Sequence, residues 1–276
     1  MIIAELCQNH NGDLGVLRKL VREAASCGVD FVKIQSFFAD DLNPEFCPDN
    51  YTDEYERLKK LELSWNEHKL FTKWCFESGV TPMTSVYSSR YIGQLKDAGF
   101  EFIKIGSAQT SDLDLITPYR DTGFEVLASS GGRELLEMNY IKGVSYLHCV
   151  SKYPHKAIES DLQRMLKISN HQDSRLKFGF SDHSDPTDRE RWAWASKFAI
   201  LLGASYIERH FTILGADETK DGPVSILPWQ LKDLCDFEKL DYEEQIKQVP
   251  SWFGVFLSPK TQSEKDLIKR YANRWK

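Results

Sequence analysis

Residues 100–132 read FEFIKIGSAQTSDLDLITPYRDTGFEVLASSGG and hold one complete strand–helix–strand unit. Short apolar runs at 102–106 and 125–129 predict two strands, and the amphipathic run between them predicts a helix over 112–121. Gly123 stands just past that helix, where chains commonly turn through a left-handed residue. Two strands that flank one helix indicate a parallel pair joined by a right-handed crossover.

The same alternation extends over most of the 276-residue chain. Further strands are predicted at 2–6, 31–35, 81–86, 145–150, 177–181 and 205–211. Further helices are predicted at 14–27, 66–78, 89–98, 134–142, 159–168, 188–202 and 228–240. Eight strands alternating with eight helices favour a single-domain α/β fold, the (β/α)8 TIM barrel, over residues 1–245. An open dinucleotide-binding sheet is disfavoured because no GxGxxG follows the first strand. Residues 36–61 are expected to form a long polar loop, and 246–276 a tail.

Composition and charge exclude several classes of protein. The 35 Lys and Arg residues against 41 Asp and Glu give a formal charge of −6, a poor match for a nucleic-acid-binding protein. Six scattered cysteines without a CxxC pair predict reduced, mostly buried thiols. The amino-terminal region has neither a basic segment nor a long apolar run, so we expect a cytoplasmic protein without a membrane partner.

Polar and titratable residues are concentrated where the predicted strands end. In a barrel these carboxyl ends meet at one face, which carries the catalytic groups. The residues at this face are Glu5, Lys33, Gln35, Ser85, Lys104, Ser107, Gln109, Ser129, Ser151, Tyr153, Ser181, His183, Glu208 and His210. Two lysines among several serines predict a phosphate or carboxylate site. The plainer alternative is that Lys33 and Lys104 only form ion pairs with Glu5 or Glu208.

His183 and His210 end two adjacent predicted strands. Two imidazoles at that separation can share one divalent metal and leave positions open for water and substrate. The alternative is that both are buried structural histidines. His10 is a further candidate polar contact, whereas His68, His155 and His171 are expected to lie on the surface.

A set of segments over residues 1–228 resembles the N-acetylneuraminate (sialic acid) synthase family. In chain order they are IAELCQNHNGD, FVKIQSF, YERLKKLELS, FIKIGSAQTSDLDLI, VLASSGG, YLHCVSKYP, FGFSDHS, GASYIERHFT and DGPVSILP. The resemblance implies a barrel enzyme that condenses phosphoenolpyruvate with an open-chain amino-sugar aldehyde. The product would be a nine-carbon 2-keto-3-deoxy sugar acid for a surface glycan, with release of phosphate.

The resemblance also implies roles for individual residues. A divalent metal, Mn²⁺ or Mg²⁺, would be held by His183 and His210. Phosphoenolpyruvate would contact Lys33, Ser85, Lys104, Ser107, Ser129, Ser151 and Ser181. Gln35 and Tyr153 would line the sugar side. Glu5 would handle the substrate hydroxyl or the attacking water, and Asp221 lies near the acid of the loop after the eighth strand.

Three departures from the family pattern affect these expectations. The family's KIGSGE is KIGSAQ here, so Gln109 replaces a functional carboxylate, and proton transfer would fall to Glu5 or Asp221. Ser151 stands where many members have asparagine. Residues 246–276 resemble the linker that precedes the family's antifreeze-like domain. We therefore expect the element that recognises the N-acyl group to be missing, and a homodimer would have to form through the barrel alone.

Two other functions remain open from the sequence. Gln109 and the expected lack of a second domain are compatible with a non-catalytic or accessory barrel that binds a sugar or phosphate. A metal-dependent aldolase or lyase could use the same histidine pair, and Lys104 could form a Schiff base in such an enzyme.

Overall fold

A computed structural model describes residues 1–45, 51–131, 140–171 and 176–250 of the chain. Its parallel strands pair in chain order, and the last pairs with the first, so that they close into a barrel. The strands are β1 (Ile2–Cys7), β2 (Phe31–Ser36), β3 (Thr81–Val86), β4 (Phe102–Ile105), β5 (Glu125–Ser129), β6 (Val144–Cys149), β7 (Phe178–Asp182) and β8 (Tyr206–His210). The predicted (β/α)8 barrel is confirmed.

The helices lie outside this barrel and connect successive strands. Within the described residues they are α1 (Leu14–Cys27), α2 (Tyr51–Lys59), α3 (Trp65–Glu77), α4 (Ile92–Asp97), α5 (Leu113–Asp121), α6 (Leu162–His171), α7 (Trp194–Leu201), α8 (Pro228–Glu238) and α9 (Tyr242–Lys247). The helix predicted at 134–142 falls mostly on residues outside the described ranges. Helix α9 crosses the predicted boundary at 245, and residues 251–276 also lie outside the described ranges.

The polar loop predicted at 36–61 is wrong in part, because this segment contains α2 and a short 3-10 helix at Ala39–Asp41. Tyr51, Tyr55 and Leu58 of α2 pack on a small apolar cluster that includes Phe37 and Leu42. These three apolar side chains lie on one face of a strongly charged helix. That sparse pattern explains why the sequence indicated a loop.

Alternate residues along each strand divide the barrel interior into two layers. The amino-terminal layer is apolar and consists of Ile3, Phe31, Met83, Leu127, Leu147 and Tyr206. Two positions further along each of these strands, the inward-facing residue is charged, a serine or a cysteine, and it lies toward the carboxyl end of the barrel. These residues are Glu5, Lys33, Ser85, Ser129, Cys149 and Glu208. The strand period of two therefore places a polar layer directly above the apolar layer, and the polar layer forms the floor of the space at the carboxyl end of the barrel.

The described cysteines and helices bear on two expectations from the sequence. Cys7, Cys27, Cys75, Cys149 and Cys235 are buried and free, as expected, whereas Cys47 lies outside the described residues. In the described part of the chain, the helices lack the length and apolar character needed to cross a bilayer.

Candidate active site

A cavity of about 500 Å³ opens at the carboxyl end of the barrel strands. Apart from His10, the residues predicted for the site from the sequence all line it: Glu5, Lys33, Gln35, Ser85, Lys104, Ser107, Gln109, Ser129, Ser151, Tyr153, Ser181, His183, His210 and Asp221. The structure thus brings together residues from all eight strand ends. Their individual chemical roles remain predictions.

Two lysines and two glutamates form a buried network at the bottom of the cavity. Lys33 Nζ lies 3.0 Å from Glu208 Oε2 and also contacts the Glu5 carboxylate. Lys104 Nζ lies 3.4 Å from Glu208 Oε1. Both lysines therefore form the ion pairs of the plainer alternative, and both also line the cavity.

Burial and charge act differently on the members of this network. Burial opposes ionisation of Glu208, but Lys104 and Lys33 outweigh it, and the pKa of Glu208 is lowered. Burial and the nearby charge of Glu208 raise the pKa of Glu5 to about 7, although Lys33 counteracts them. Burial also lowers the pKa of Lys104, whereas the two carboxylates raise that of Lys33. Glu208 is thus the carboxylate that stays ionised, and Glu5 is the one able to exchange a proton near neutral pH.

Serine hydroxyls surround the two ammonium groups. Lys33 Nζ donates to Ser85 Oγ at 3.1 Å, and Lys104 Nζ donates to Ser129 Oγ at 2.7 Å. Ser107 and Ser151 face each other with 2.9 Å between their hydroxyl oxygens. Cations and hydroxyls converging in a buried pocket suit an anion with phosphate and carboxylate groups.

Gly131 makes room for this hydroxyl cluster. A Cβ atom on Gly131 would collide with Ser151 Oγ and would lie 2.7 Å from Cys149 Sγ. Glycine at this position lets the backbone after β5 approach the end of β6 closely enough for the two strands to line one cavity.

The two predicted metal ligands face each other across the cavity. The ring centroids of His183 and His210 are 5.2 Å apart, and the Tyr153 ring lies 4.0 Å from that of His183. His183 Nδ1 lies 2.8 Å from the Val150 carbonyl oxygen, so Nδ1 carries the proton and Nε2 keeps a lone pair. Burial lowers the pKa of His183 to about 3 and also lowers that of His210, which keeps both rings neutral as metal ligands require.

A compact donor cluster lies beside His210 and includes a residue that sequence reasoning missed. Cys7 Sγ is 3.0 Å from His210 Nδ1. The potential ligand atoms of Cys7, His210 and Asp221 all lie within 4.8 Å of one another. Burial raises the pKa of both the Cys7 thiol and the Asp221 carboxyl. The sequence showed a cysteine at the end of a strand, but gave no sign that its thiol faces a histidine from the other end of the chain.

The cavity rim includes Arg57 and Lys220, which the sequence did not single out. Arg57 of α2 donates from Nη1 to Gln8 Oε1 at 2.6 Å, and Gln8 Nε2 donates to Gln35 Oε1 at 3.2 Å. Lys220, from the loop after β8, lies 3.6 Å from Glu54, which also pairs with Arg57. These polar groups give the outer cavity a surface suited to a hydroxylated ligand.

Two histidines predicted to be exposed are buried instead. His68 Nε2 lies 2.8 Å from Ser36 Oγ, and its Nδ1 lies 2.9 Å from the Ser64 carbonyl oxygen. His155 Nδ1 lies 2.8 Å from the Lys156 carbonyl oxygen. The Ser36 partner of His68 lies on a different segment, and such a partner is not visible in a local pattern. His10 is buried but is absent from the described cavity lining, and the side chain of His171 lies outside the described set.

The model of the NeuB family matches residues 20–240. The chain belongs to the NeuB family. It is 28% identical to N,N'-diacetyllegionaminic acid synthase of Campylobacter jejuni, over 97% of this chain and 81% of that one. It is 30% identical to the protein of the same name from Legionella pneumophila, over 84% of this chain and 69% of that one.

The family assignment confirms the resemblance stated from the sequence and the prediction of an enzyme of the sugar-acid synthase class. The fold agrees with a solved structure of an N-acetylneuraminic acid synthetase from Leptospira borgpetersenii in complex with citrate. That structure has a TM-score of 0.76 and 24% identity, with 100% of this chain and 92% of the other covered. At this identity the comparison supports the fold alone.

Proposed function

We propose that this NeuB-family chain condenses phosphoenolpyruvate with an aldose of the amino-sugar type. The product is a 2-keto-3-deoxy sugar acid for glycan biosynthesis, and phosphate is released. The observation that carries the proposal is the buried floor of one cavity, where Lys33, Lys104 and serine hydroxyls converge. These cations and hydroxyls suit a small anion that carries a phosphate and a carboxylate group.

The bound phosphoenolpyruvate is oriented by groups with fixed partners. Lys104 is held more weakly than Lys33, because it has one carboxylate contact, at 3.4 Å. Its ammonium group can therefore bind a substrate oxygen while Lys33 stays in its ion pairs. Ser107, Ser129 and Ser151 complete an anion site on the same side of the cavity. Preorganised donors of this kind stabilise the charge that develops as phosphate leaves.

The residues around His210 fit a divalent cation, since neutral imidazoles, a thiol and a carboxylate converge there. His183 and His210 are the proposed ligands that carry over from the family resemblance. When bound, such a cation polarises the carbonyl oxygen of the aldehyde.

Proton transfer falls to Glu5 in this proposal. In the condensation, C3 of phosphoenolpyruvate forms a bond to the aldehyde carbon, and the aldehyde oxygen gains a proton to become a hydroxyl. Water adds at C2 with loss of a proton, and the C2 hydroxyl then gives its proton to the departing phosphate as the C2–O bond breaks and the ketone forms. The Glu5 carboxylate lies at the cavity floor and accepts from the Cys7 backbone N–H at 2.7 Å, which holds it in place. It can take the proton of the attacking water, a role that the Gln109 amide cannot perform.

A phosphate-release assay tests the proposed function. Phosphoenolpyruvate, a divalent metal and a panel of hexosamines and other aldoses are supplied, and phosphate is measured against reactions without aldose. Aldose-dependent release with one sugar, together with a 2-keto acid product found by mass spectrometry, supports the synthase. Binding of phosphoenolpyruvate without release from any sugar contradicts it and favours the accessory barrel.

Replacing Gln109 by Glu should weaken phosphoenolpyruvate binding. Gln109 is buried in the same cavity as the proposed anion site, so a carboxylate there would repel the substrate. We expect the KM for phosphoenolpyruvate to rise about tenfold, which corresponds to about 1.4 kcal/mol. Gln35→Glu is the matched control on the sugar side and should change the KM for the aldose instead. A higher rate in Gln109→Glu would mean that the lost carboxylate limits the reaction.

A further inference from the structure

We propose that the thiolate of Cys7 is a ligand of the divalent metal, together with His210 and Asp221. This inference rests on the proposed function for the role of the metal and deepens it. It assigns this chain a cation that favours sulfur, such as Zn²⁺, Co²⁺ or Fe²⁺, in preference to Mn²⁺ or Mg²⁺.

The distances suit a shared ion. Metal–sulfur bonds of about 2.3 Å and metal–nitrogen bonds of about 2.0 Å keep two donor atoms on one ion no more than about 4.3 Å apart. Cys7 Sγ and His210 Nδ1 are 3.0 Å apart, and the whole triad spans at most 4.8 Å. Small side-chain movements would bring all three donors to bonding distance of one cation.

The backbone at Cys7 directs its side chain toward this point. Cys7 has a φ of 47°, in the left-handed region that residues with a Cβ atom rarely adopt. The pairing of β1 with β2 shifts register between Glu5 and Cys7. A non-glycine residue kept in this conformation at the mouth of a barrel is characteristic of a functional position. The shift presents the thiol to β8 instead of to the core behind the sheet.

The Cys7 thiol lies close to both other donors of the triad. Its sulfur is 3.0 Å from His210 Nδ1, and a carboxylate oxygen of Asp221 lies within 4.8 Å of both ligand atoms. When the metal binds, the S–H bond breaks, the thiolate sulfur forms a bond to the metal, and the proton is released to solvent. In this arrangement Asp221 acts as a ligand, and proton transfer is left to Glu5.

The charges in the cavity favour this ligand set over two histidines alone. Lys33 and Lys104 are balanced by Glu5 and Glu208. A divalent ion held only by neutral imidazoles beside Asp221 would keep one uncompensated positive charge next to this network. A thiolate and a carboxylate compensate both charges, so the ion can be bound before the anionic substrate enters.

Cobalt substitution tests the assignment without any turnover. The chain is treated with a chelator, loaded with Co²⁺, and scanned for the near-ultraviolet charge-transfer band of a cobalt–thiolate bond. We expect the band in the natural chain and its loss in Cys7→Ser. Cys149→Ser is the matched control, because Cys149 is a buried cysteine that lines the cavity, and it should keep the band. Co²⁺ binding without the band, or a band that survives in Cys7→Ser, overturns the proposal.

A second substitution at position 7 tests whether the band is lost because the chain unfolds. Glycine suits a φ of 47°, so Cys7→Gly should unfold at a temperature no lower than the natural chain while it still loses the band. In competition dialysis, the preference for Zn²⁺ over Mn²⁺ should fall more than about tenfold in both variants. An unchanged preference contradicts the thiolate ligand. A cobalt–thiolate band without aldose-dependent phosphate release supports the ligand and contradicts the proposed synthase instead.

Discussion

Replacing Lys104 by Met is expected to lower kcat/KM for phosphoenolpyruvate by about 10³-fold, measured from initial rates of aldose-dependent phosphate release. Methionine keeps the buried apolar stem but removes the ammonium group that donates to Ser129 at 2.7 Å. Loss of a preorganised charged donor in a buried site typically reduces rates by about 10²- to 10³-fold. The substitution also leaves Glu208 with Lys33 as its remaining lysine contact, so its charge repels the substrate more strongly.

Two further variants separate the possible roles of Lys104. Lys73→Met removes an exposed lysine of α3, 3.8 Å from Glu77, and should leave the rate unchanged. Lys104→Arg keeps the positive charge and should retain part of the activity if the role is electrostatic. If the chain were instead a Schiff-base aldolase, both Lys104 variants would lose all activity. Borohydride would then label the unsubstituted chain in the presence of pyruvate. An unchanged kcat/KM in Lys104→Met would exclude Lys104 from the site.

The main part of the site followed from the sequence because barrel topology restricts where strand ends can lie. Once residues 102–106 and 125–129 were identified as parallel strands, their carboxyl ends had to open on the same face. Lys104 and Ser129 were therefore expected near each other, and the structure places them in hydrogen-bond contact. The division of each strand's inward-facing residues into an apolar layer and a polar layer follows from the same strand period.

The rest of the site depends on contacts that have no local pattern. Arg57 reaches the cavity from α2, whose few apolar residues did not predict a helix. Cys7 faces His210 because of a register shift and a positive φ, and neither feature is encoded by a hydrophobic period. Cys7 and His210 are 203 positions apart in the chain, and Arg57 and Gln8 are 49 apart, so these contacts appear only in the folded chain.

A second buried ion pair lies on the outer side of the barrel wall and supports the segment that carries His183. Arg209 Nη1 is 2.7 Å from Asp182 Oδ2 and donates to Ser184 Oγ at 2.8 Å. Ser196 Oγ donates to the same Asp182 oxygen at 2.6 Å, and both charged side chains are almost fully buried. Because His183 stands between Asp182 and Ser184, this pair fixes both neighbours of the proposed metal ligand.

Arg209→Met is therefore expected to lower the free energy of unfolding by about 3–5 kcal/mol, measured by urea denaturation at neutral pH. Methionine fills much of the volume but leaves the buried Asp182 charge uncompensated. Arg120→Met breaks an exposed pair with Asp121 and should cost less than about 1 kcal/mol.

The double variant Arg209→Met/Asp182→Asn locates the cause of the loss. It removes the unpaired charge, so it should be more stable than Arg209→Met alone if charge burial is responsible. A double variant as unstable as the sum of the two single variants would assign the loss to packing. If charge burial is responsible, the asparagine at position 182 restores stability but forms no ion pair to hold the segment that carries His183. We then expect the affinity for the metal to stay below that of the natural chain even where stability recovers. This difference would separate the support of His183 from the support of the fold.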